Sequence, residues 1–292
     1  MKRLSALLLA LSLCACLLTA CNSGTVEITD DPADFQISPE AIEEGAGGPL
    51  SVITIGASPA PHTEILEAAR TALNELGYDL NIVEYNDYVV PNVALNDGDL
   101  DANFFQHQPY LDNYNAENGT ELATLVAVHY EPLGIYAGKT ASLAELADGA
   151  QIAVPNDGTN EARALKLLEA NGLITLDPDA NFTATVLDIA DNPKNLNIVE
   201  MEAAQIPRAL ADLDLAVING NYAIDAGLNV ETDALAKEEK ESDSASAYAN
   251  IVAIRAGDES RAELIALAEV LTSDAMRQFI EETYSGAVVA IF

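Results

Sequence analysis

The sequence predicts an α/β protein of two lobes with a ligand cleft between them, and three observations carry that expectation. Short β-type apolar runs alternate with amphipathic helical segments from Pro49 onward. A second series of the same kind starts at Gln151. A late strand and two helices then follow an acidic interruption, with no sheet of their own to lie on. About 240 residues in this pattern suffice for two modest lobes.

The first segment belongs to neither lobe. Met1-Lys2-Arg3, the apolar stretch Leu4 to Leu18 and Leu18-Thr19-Ala20-Cys21 have the charged, apolar and small-residue order of a secretory signal over residues 1–20. Leu-Thr-Ala-Cys resembles the bacterial lipobox, which implies acyl chains on Cys21; the alternative is an ordinary secretory signal with an incidental cysteine. Two or more chains would hold the protein to the lipid bilayer, on the extracytoplasmic face of the cell membrane. No later segment offers the roughly 20 consecutive apolar residues of a spanning helix. Cys14, Cys16 and Cys21 are the only cysteines, so the mature chain has no internal thiol for a disulfide, a zinc site or a nucleophile. Residues 21–48 are acidic and small and read as a disordered tether. The formal charge of −34 becomes about −36 once Lys2 and Arg3 leave with the signal. Such a surface repels nucleic acid.

In the first series, Val52 to Ile55 reads as a strand and Thr63 to Leu76 as a helix with Ile65, Leu66, Ala69, Leu73 and Leu76 on one face, stopped by Gly77. Leu80 to Tyr85 is a second strand, Val90 to Leu95 a short helix and Asp101 to Phe104 a third strand. Leu122 to Val128 and Leu133 to Tyr136 follow as strands. The alternation implies largely parallel sheets covered on both faces. In the second series, Gln151 to Pro155 precedes a helix capped by Thr159 or Asn160 and ending at Asn171-Gly172. Phe182 to Leu187 and Leu215 to Ile218 extend the second sheet. Glu231 to Ala247 is an acidic interruption before the strand Ile251 to Arg255 and helices over Arg261 to Leu271 and Asp274 to Glu282. The expected division is 51–131 plus 247–292 for the first lobe and 132–246 for the second.

Several motifs lead nowhere. His62, His107 and His129 lack metal-ligand spacing, so no metal or other cofactor is expected; a zinc site would require all three to converge. Asp97-Gly98-Asp99-Leu100-Asp101 starts like a calcium loop, but Ala102 and Gln108 stand where glycine and glutamate belong. Gly56-Ala57-Ser58-Pro59-Ala60 lacks the last glycine of a nucleophile elbow, so a Ser58–His62 hydrolase is a weak alternative and Ser58 more readily caps the first helix.

Three segments carry chemistry. Tyr88, Phe105, His107 and Tyr110 cluster where two βα units end, a surface suited to a soft apolar group with a polar end. Arg163 falls in the first turns of a helix, where its guanidinium and free backbone N–H groups could receive a carboxylate; otherwise it balances Glu161 or Glu169. Asn219 ends a buried strand, where its amide can accept from an ammonium or donate to a carboxylate.

Six strings in this order, from Gly-Ala-Ser-Pro-Ala-Pro-His-Thr-Glu-Ile-Leu through Asp-Tyr-Val-Val-Pro-Asn, Asp-Ala-Asn-Phe-Phe-Gln-His-Gln-Pro-Tyr-Leu, Pro-Asn-Asp-Gly-Thr-Asn and Asp-Asn-Pro-Lys-Asn-Leu to Val-Ile-Asn-Gly-Asn-Tyr-Ala, make the chain resemble the methionine-binding lipoproteins of ABC importers, the NlpA-type family. The resemblance implies a two-lobed periplasmic-binding-protein-like fold of type II that captures L-methionine and delivers it to an ABC permease in the membrane. It implies a binding protein and not an enzyme, and a monomer. Tyr88, Phe105, His107 and Tyr110 would surround the methionine side chain, Arg163 would meet the carboxylate, and Asn219, with Asn160, would hold the amino-acid backbone. A methionine-containing dipeptide, D-methionine or another apolar amino acid is the alternative ligand. The acidic stretch Glu231 to Asp243 departs from the family and is expected to touch none of these residues.

Overall fold

A computed structural model describes residues 49–180, 182–239 and 247–292. The signal segment, Cys21 and the tether over 21–48 lie outside the described residues. Along the chain, β1 (Ser51–Ala57), β2 (Tyr78–Glu84), β3 (Ala102–His107) and β4 (Leu122–Tyr130) are followed by β5 (Gly134–Ala137) and β6 (Gln151–Pro155). Then come the short β7 (Thr175–Leu176) and β8 (Ile189–Asp191), and β9 (Asn197–Met201), β10 (Leu215–Ile218), β11 (Ala234–Lys237), β12 (Asn250–Arg255) and β13 (Val289–Ala290).

These strands form a six-stranded sheet, β13-β4-β12-β3-β1-β2, and a five-stranded sheet, β11-β5-β10-β6-β9. The chain passes from the first sheet to the second after β4 and returns with β12, which lies between β3 and β4. Both sheets are mixed rather than largely parallel. β12 runs antiparallel to β3 and β4, and β5 antiparallel to β10 and β11, because each is a strand with which the chain enters or re-enters a sheet from the other lobe. The parallel pairs β1–β2, β1–β3, β6–β10 and β6–β9 are the ones joined through helical crossovers within a lobe.

Each sheet buries its own core. Ile53, Ile55, Phe104, Val252 and Ile254 meet Leu66 and Leu73 of α1 (Glu64–Glu75) and Leu267 and Leu271 of a C-terminal helix, Ala262–Leu271. Ile135, Ile152, Val154 and Val217 meet Leu165 and Leu168 of a long helix, Gly158–Ala170. Leu76, placed on the apolar face of α1 by periodicity, instead falls past its end and is exposed.

Other expectations are corrected. Phe182 to Leu187 adds no strand to the second sheet: Phe182 and Leu187 are exposed, and Thr185 caps a single 3-10 turn, Val186–Asp188. The edge strand is β9, whose three apolar residues the composition underplays. The acidic stretch after Glu231 holds β11, which pairs with β5. The cap of the long helix is Asp157, whose carboxylate accepts from Asn160 N at 3.0 Å. Ser58 precedes a separate turn, Pro59–Thr63, and makes no side-chain cap bond. Asp97-Gly98 ends α2 (Val90–Asp97), with Gly98 left-handed at φ +87°, and Asp101 then accepts from Thr54 N and from Arg261.

β12 contributes a fully buried Ile254 between its two neighbours. Ile254→Ala should therefore cost about 2–5 kcal/mol, read from a shift of the urea midpoint without a change of slope.

Candidate ligand-binding site

The carboxyl ends of several strands converge between the sheets. β3 ends in Phe105, Gln106 and His107, β4 in Tyr130 just before Glu131, and β10 in Ile218 just before Asn219. The turn after β6 leads into α4, the helix Gly158–Ala170 (α3 being Gln108–Asn118), which carries Asn160 and Arg163. Together with Tyr88, Tyr110, Gly220, Asn221 and Asn250, these enclose a hollow of about 330 Å³, partly continuous with solvent. All seven residues that the sequence singles out for a ligand, Tyr88, Phe105, His107, Tyr110, Asn160, Arg163 and Asn219, line it.

One wall is aromatic. Tyr88 lies 5.9 Å from Phe105, 5.8 Å from Tyr110 and 4.9 Å from Tyr222, ring centre to ring centre. These separations fall in the range of favourable edge and offset contacts. Tyr222 is an addition from the second lobe: it follows Asn219 by three residues, within the short helix Gly220–Asp225, and so shares its side. The lobes touch here, since Tyr88 donates to Asn221 Oδ1 at 2.5 Å and Tyr222 to the carbonyl of Asn86 at 3.2 Å.

The opposite wall is a chain of amides. Asn160 Nδ2 donates to both oxygens of Asp157, and its Oδ1 accepts from Asn219 Nδ2 at 2.8 Å and faces His107 Nε2 at 3.1 Å. His107 Nδ1 accepts from Tyr110 N, so Nε2 carries the proton and the imidazole is neutral. Burial pulls its pKa down to about 3. Asn219 Oδ1 is buried with no hydrogen-bond partner. Because Asp157 already caps the helix, the start of α4 is not the open anion site that its position suggests.

Arg163 is neither a surface residue nor paired with Glu161 or Glu169. It is 4% exposed, and its Nε and Nη2 donate to the two oxygens of Glu238 at 2.9 and 2.6 Å. Nη2 also donates to the carbonyl of Glu131 at 2.9 Å, and Tyr248 stacks on the guanidinium at 4.3 Å. The acidic stretch thus does touch a site residue. Burial works against both charges, yet each partner's charge and hydrogen bonds outweigh it: Arg163 is held further toward its cation, and the Glu238 carboxyl below its usual range. The guanidinium also borders the hollow.

Behind the hollow, Glu131 Oε1 lies 2.7 Å from His129 Nε2 and 3.5 Å from His62 Nε2, and His62 Nε2 lies 2.9 Å from Asn250 Oδ1. Burial pulls His62 to about 4, against the pull of Glu131, and His129 to about 3. His62, His129 and Glu131 are the group with metal-ligand spacing among the described residues, their ligand atoms lying within 4.8 Å of one another. His107 is not part of it. Glu131, Tyr222, Tyr248, Asn250 and Glu238 are the residues at or beside the hollow that sequence reasoning passes over. Lys166, Phe182, Lys237 and Tyr248 line a second hollow on the far side of Arg163.

The model of the family described as NlpA lipoprotein matches residues 53–292. A D-methionine-binding lipoprotein, MetQ, of Escherichia coli is 40% identical over 240 residues, covering 81% of this chain and 87% of that protein. A methionine-binding lipoprotein, MetQ, of Bacillus subtilis is 42% identical over 251 residues, covering 85% and 90%. The structure of a nutrient-binding protein from Burkholderia cenocepacia bound to methionine superposes with a TM-score of 0.78 at 43% identity, covering 82% of this chain and all of that one.

Two outcomes follow from the buried charges. Glu238→Ala leaves the Arg163 cation unpaired and should destabilise the protein by about 3–5 kcal/mol, read by urea unfolding at pH 7. Stability should also fall as pH drops from 6.5 to about 4, because His62, His107 and His129 take protons in that window only when unfolded. The carboxyls of Glu131, Asp157 and Glu161, which burial pushes up, work in the opposite sense, while those of Glu67, Asp79 and Glu238, held below their usual range, add to the loss at the acid end. Unfolding curves at several pH values check the sign.

Proposed function

This chain belongs to the NlpA lipoprotein family, and from that premise we propose that it is the lipid-anchored substrate-binding protein of an ABC importer, capturing L-methionine between its lobes. The observation that carries the reading is a buried guanidinium at a ring-lined hollow between two lobes. An amino acid whose carboxylate meets Arg163 would lay its side chain among Tyr88, Phe105, His107 and Tyr110. Burying a thioether side chain there contributes about 1.5–3 kcal/mol, and sulfur against ring edges adds to it. Asn160 and Asn219 hold the backbone end, and Asn250, which lines the same hollow, joins them.

In this reading Cys21 carries the acyl chains, the protein sits on the extracytoplasmic face of the membrane as a monomer, and closure of lobe 51–131 plus 247–292 on lobe 132–246 presents the loaded form to the permease. No helix among the described residues is long and apolar enough to cross a membrane. The chain binds and does not catalyse. A hydrolase built on Ser58 and His62 has less support, since His62 Nε2 is engaged by Asn250 and Glu131. D-methionine remains the closest competing ligand, because the Escherichia coli relative's name specifies it.

Calorimetry with L-methionine, D-methionine and glycyl-methionine tests the reading. L-methionine should bind one to one and tightest. Asn219→Ala removes a buried amide and should weaken binding about tenfold or more. It is a cleaner variant than Arg163→Ala, which also strands Glu238 as an unpaired buried charge. Unchanged L-methionine affinity in Asn219→Ala would reject the backbone-clamp role.

A further inference from the structure

A groove of about 1250 Å³ adjoins the hollow, lined by Pro59, Ala60 and Asp87 of the first lobe and by Glu202, Arg208 and Asp225 of the second. Glu202, Arg208 and Asp225 are exposed, so the groove opens to solvent. Asn221 lines both spaces. Tyr88 lines the hollow and Tyr222 the groove, and their rings lie 4.9 Å apart with a tilt of 31°. A stack of two rings, one from each lobe, therefore stands between the ligand space and the open one. Resting on the methionine reading above, we propose that Tyr222 is a positioning residue that backs Tyr88 and so limits the length of the ligand's side chain, excluding homocysteine ethers with S-alkyl groups longer than methyl.

The partition is held from both sides. Tyr88 donates its hydroxyl to Asn221 Oδ1 at 2.5 Å, and its carbonyl accepts from the Tyr110 hydroxyl at 3.0 Å. Tyr222 is tied in the reciprocal way, donating to the carbonyl of Asn86 at 3.2 Å, two residues before Tyr88. These bonds cross the lobe junction in opposite directions beside one stack, so neither ring turns aside without breaking one of them. Tyr222 is 8% exposed and packs with Ile218 and Ala223 in the second lobe, which fixes the face it offers to Tyr88.

The other rings of the wall do not have this role. Phe105 and Tyr110 lie 5.9 and 5.8 Å from Tyr88, but all three belong to the first lobe and are in place before the lobes meet. Tyr222 arrives with the second lobe, so the limit on length is imposed as the cleft closes. A methyl thioether leaves Tyr88 seated on Tyr222. A longer S-alkyl group must push Tyr88 toward the groove, at the cost of its stacking and of the bond to Asn221. With Tyr222 truncated, Tyr88 has the groove to move into and the hollow lengthens at its apolar end.

The test is calorimetry on the full mature chain with L-methionine, L-ethionine and S-butyl-L-homocysteine. On the wild type, L-ethionine should bind about tenfold more weakly than L-methionine and the butyl ether roughly 100-fold or more. Tyr222→Ala, whose folding is checked by its unfolding temperature, should narrow the gap between the butyl ether and L-methionine by about tenfold or more. Tyr222→Phe keeps the ring and should keep the wild-type ratio, whatever the lost hydroxyl does to all three ligands alike. A merely structural Tyr222 would weaken the three together, so an unchanged ratio in folded Tyr222→Ala would overturn the proposal. So would a butyl ether that binds the wild type within about tenfold of L-methionine, a result that needs no variant to fold. Failure of L-methionine itself to bind the wild type would remove the underlying reading as well.

Discussion

A guanidinium buried where two lobes meet must have a carboxylate, and the pair Arg163–Glu238 is the constraint around which this site is arranged. A lone cation at that depth would cost far more than the fold could supply. Glu238 follows β11, the strand that the second sheet gains from the acidic stretch, and its oxygens also accept from Tyr130 and from the N–H of Leu133. One carboxylate therefore joins α4, the end of β4 and the crossing between the lobes. The cation is held in place by Nε and Nη2, which donate to Glu238 and to the Glu131 carbonyl, and such preorganisation lowers the cost of recognition.

The polar groups around it follow the same logic. A buried amide must satisfy its donors and acceptors, so each one in the hollow constrains its neighbours. Asp157 orders Asn160, Asn160 orders Asn219 and faces His107, and His107 in turn takes the N–H of Tyr110. The aromatic wall and the amide wall are thus linked through one imidazole whose tautomer both ends dictate. Asn92, Asn103 and Gln106 form a comparable ladder, but it is closed on itself and ties α2 to β3. The amide chain at the hollow differs in leaving one acceptor unused, Asn219 Oδ1.

Much of this was legible in the residues. Period-two and helical patterns placed both βα series, and the ring-rich and amide-rich segments at strand ends marked the hollow's walls. What escaped were relations across distance. Glu238 lies 75 residues from Arg163, and nothing local in a run of glutamates sets that one apart. His62 and His129 meet Glu131 only because β1 and β4 share a sheet, so spacing along the chain could not reveal them. Phe182 to Leu187 misled for the opposite reason: its β-branched and aromatic composition is strand-like, but no partner strand awaits it, and Leu187 points to solvent. Asp157 was within reach of local reasoning, since aspartate is as strong an N-cap as asparagine and stands just before the helix.

In the proposed function, Arg163 and a ring-lined wall converge on one small amino acid at the lobe junction. A crystal structure of the mature chain with L-methionine tests it most directly. The carboxylate is expected on Arg163, the backbone end beside Asn160 and Asn219, and the sulfur among Tyr88, Phe105 and Tyr110. Methionine lodged instead beyond Arg163, between Lys166, Phe182 and Lys237, would contradict it.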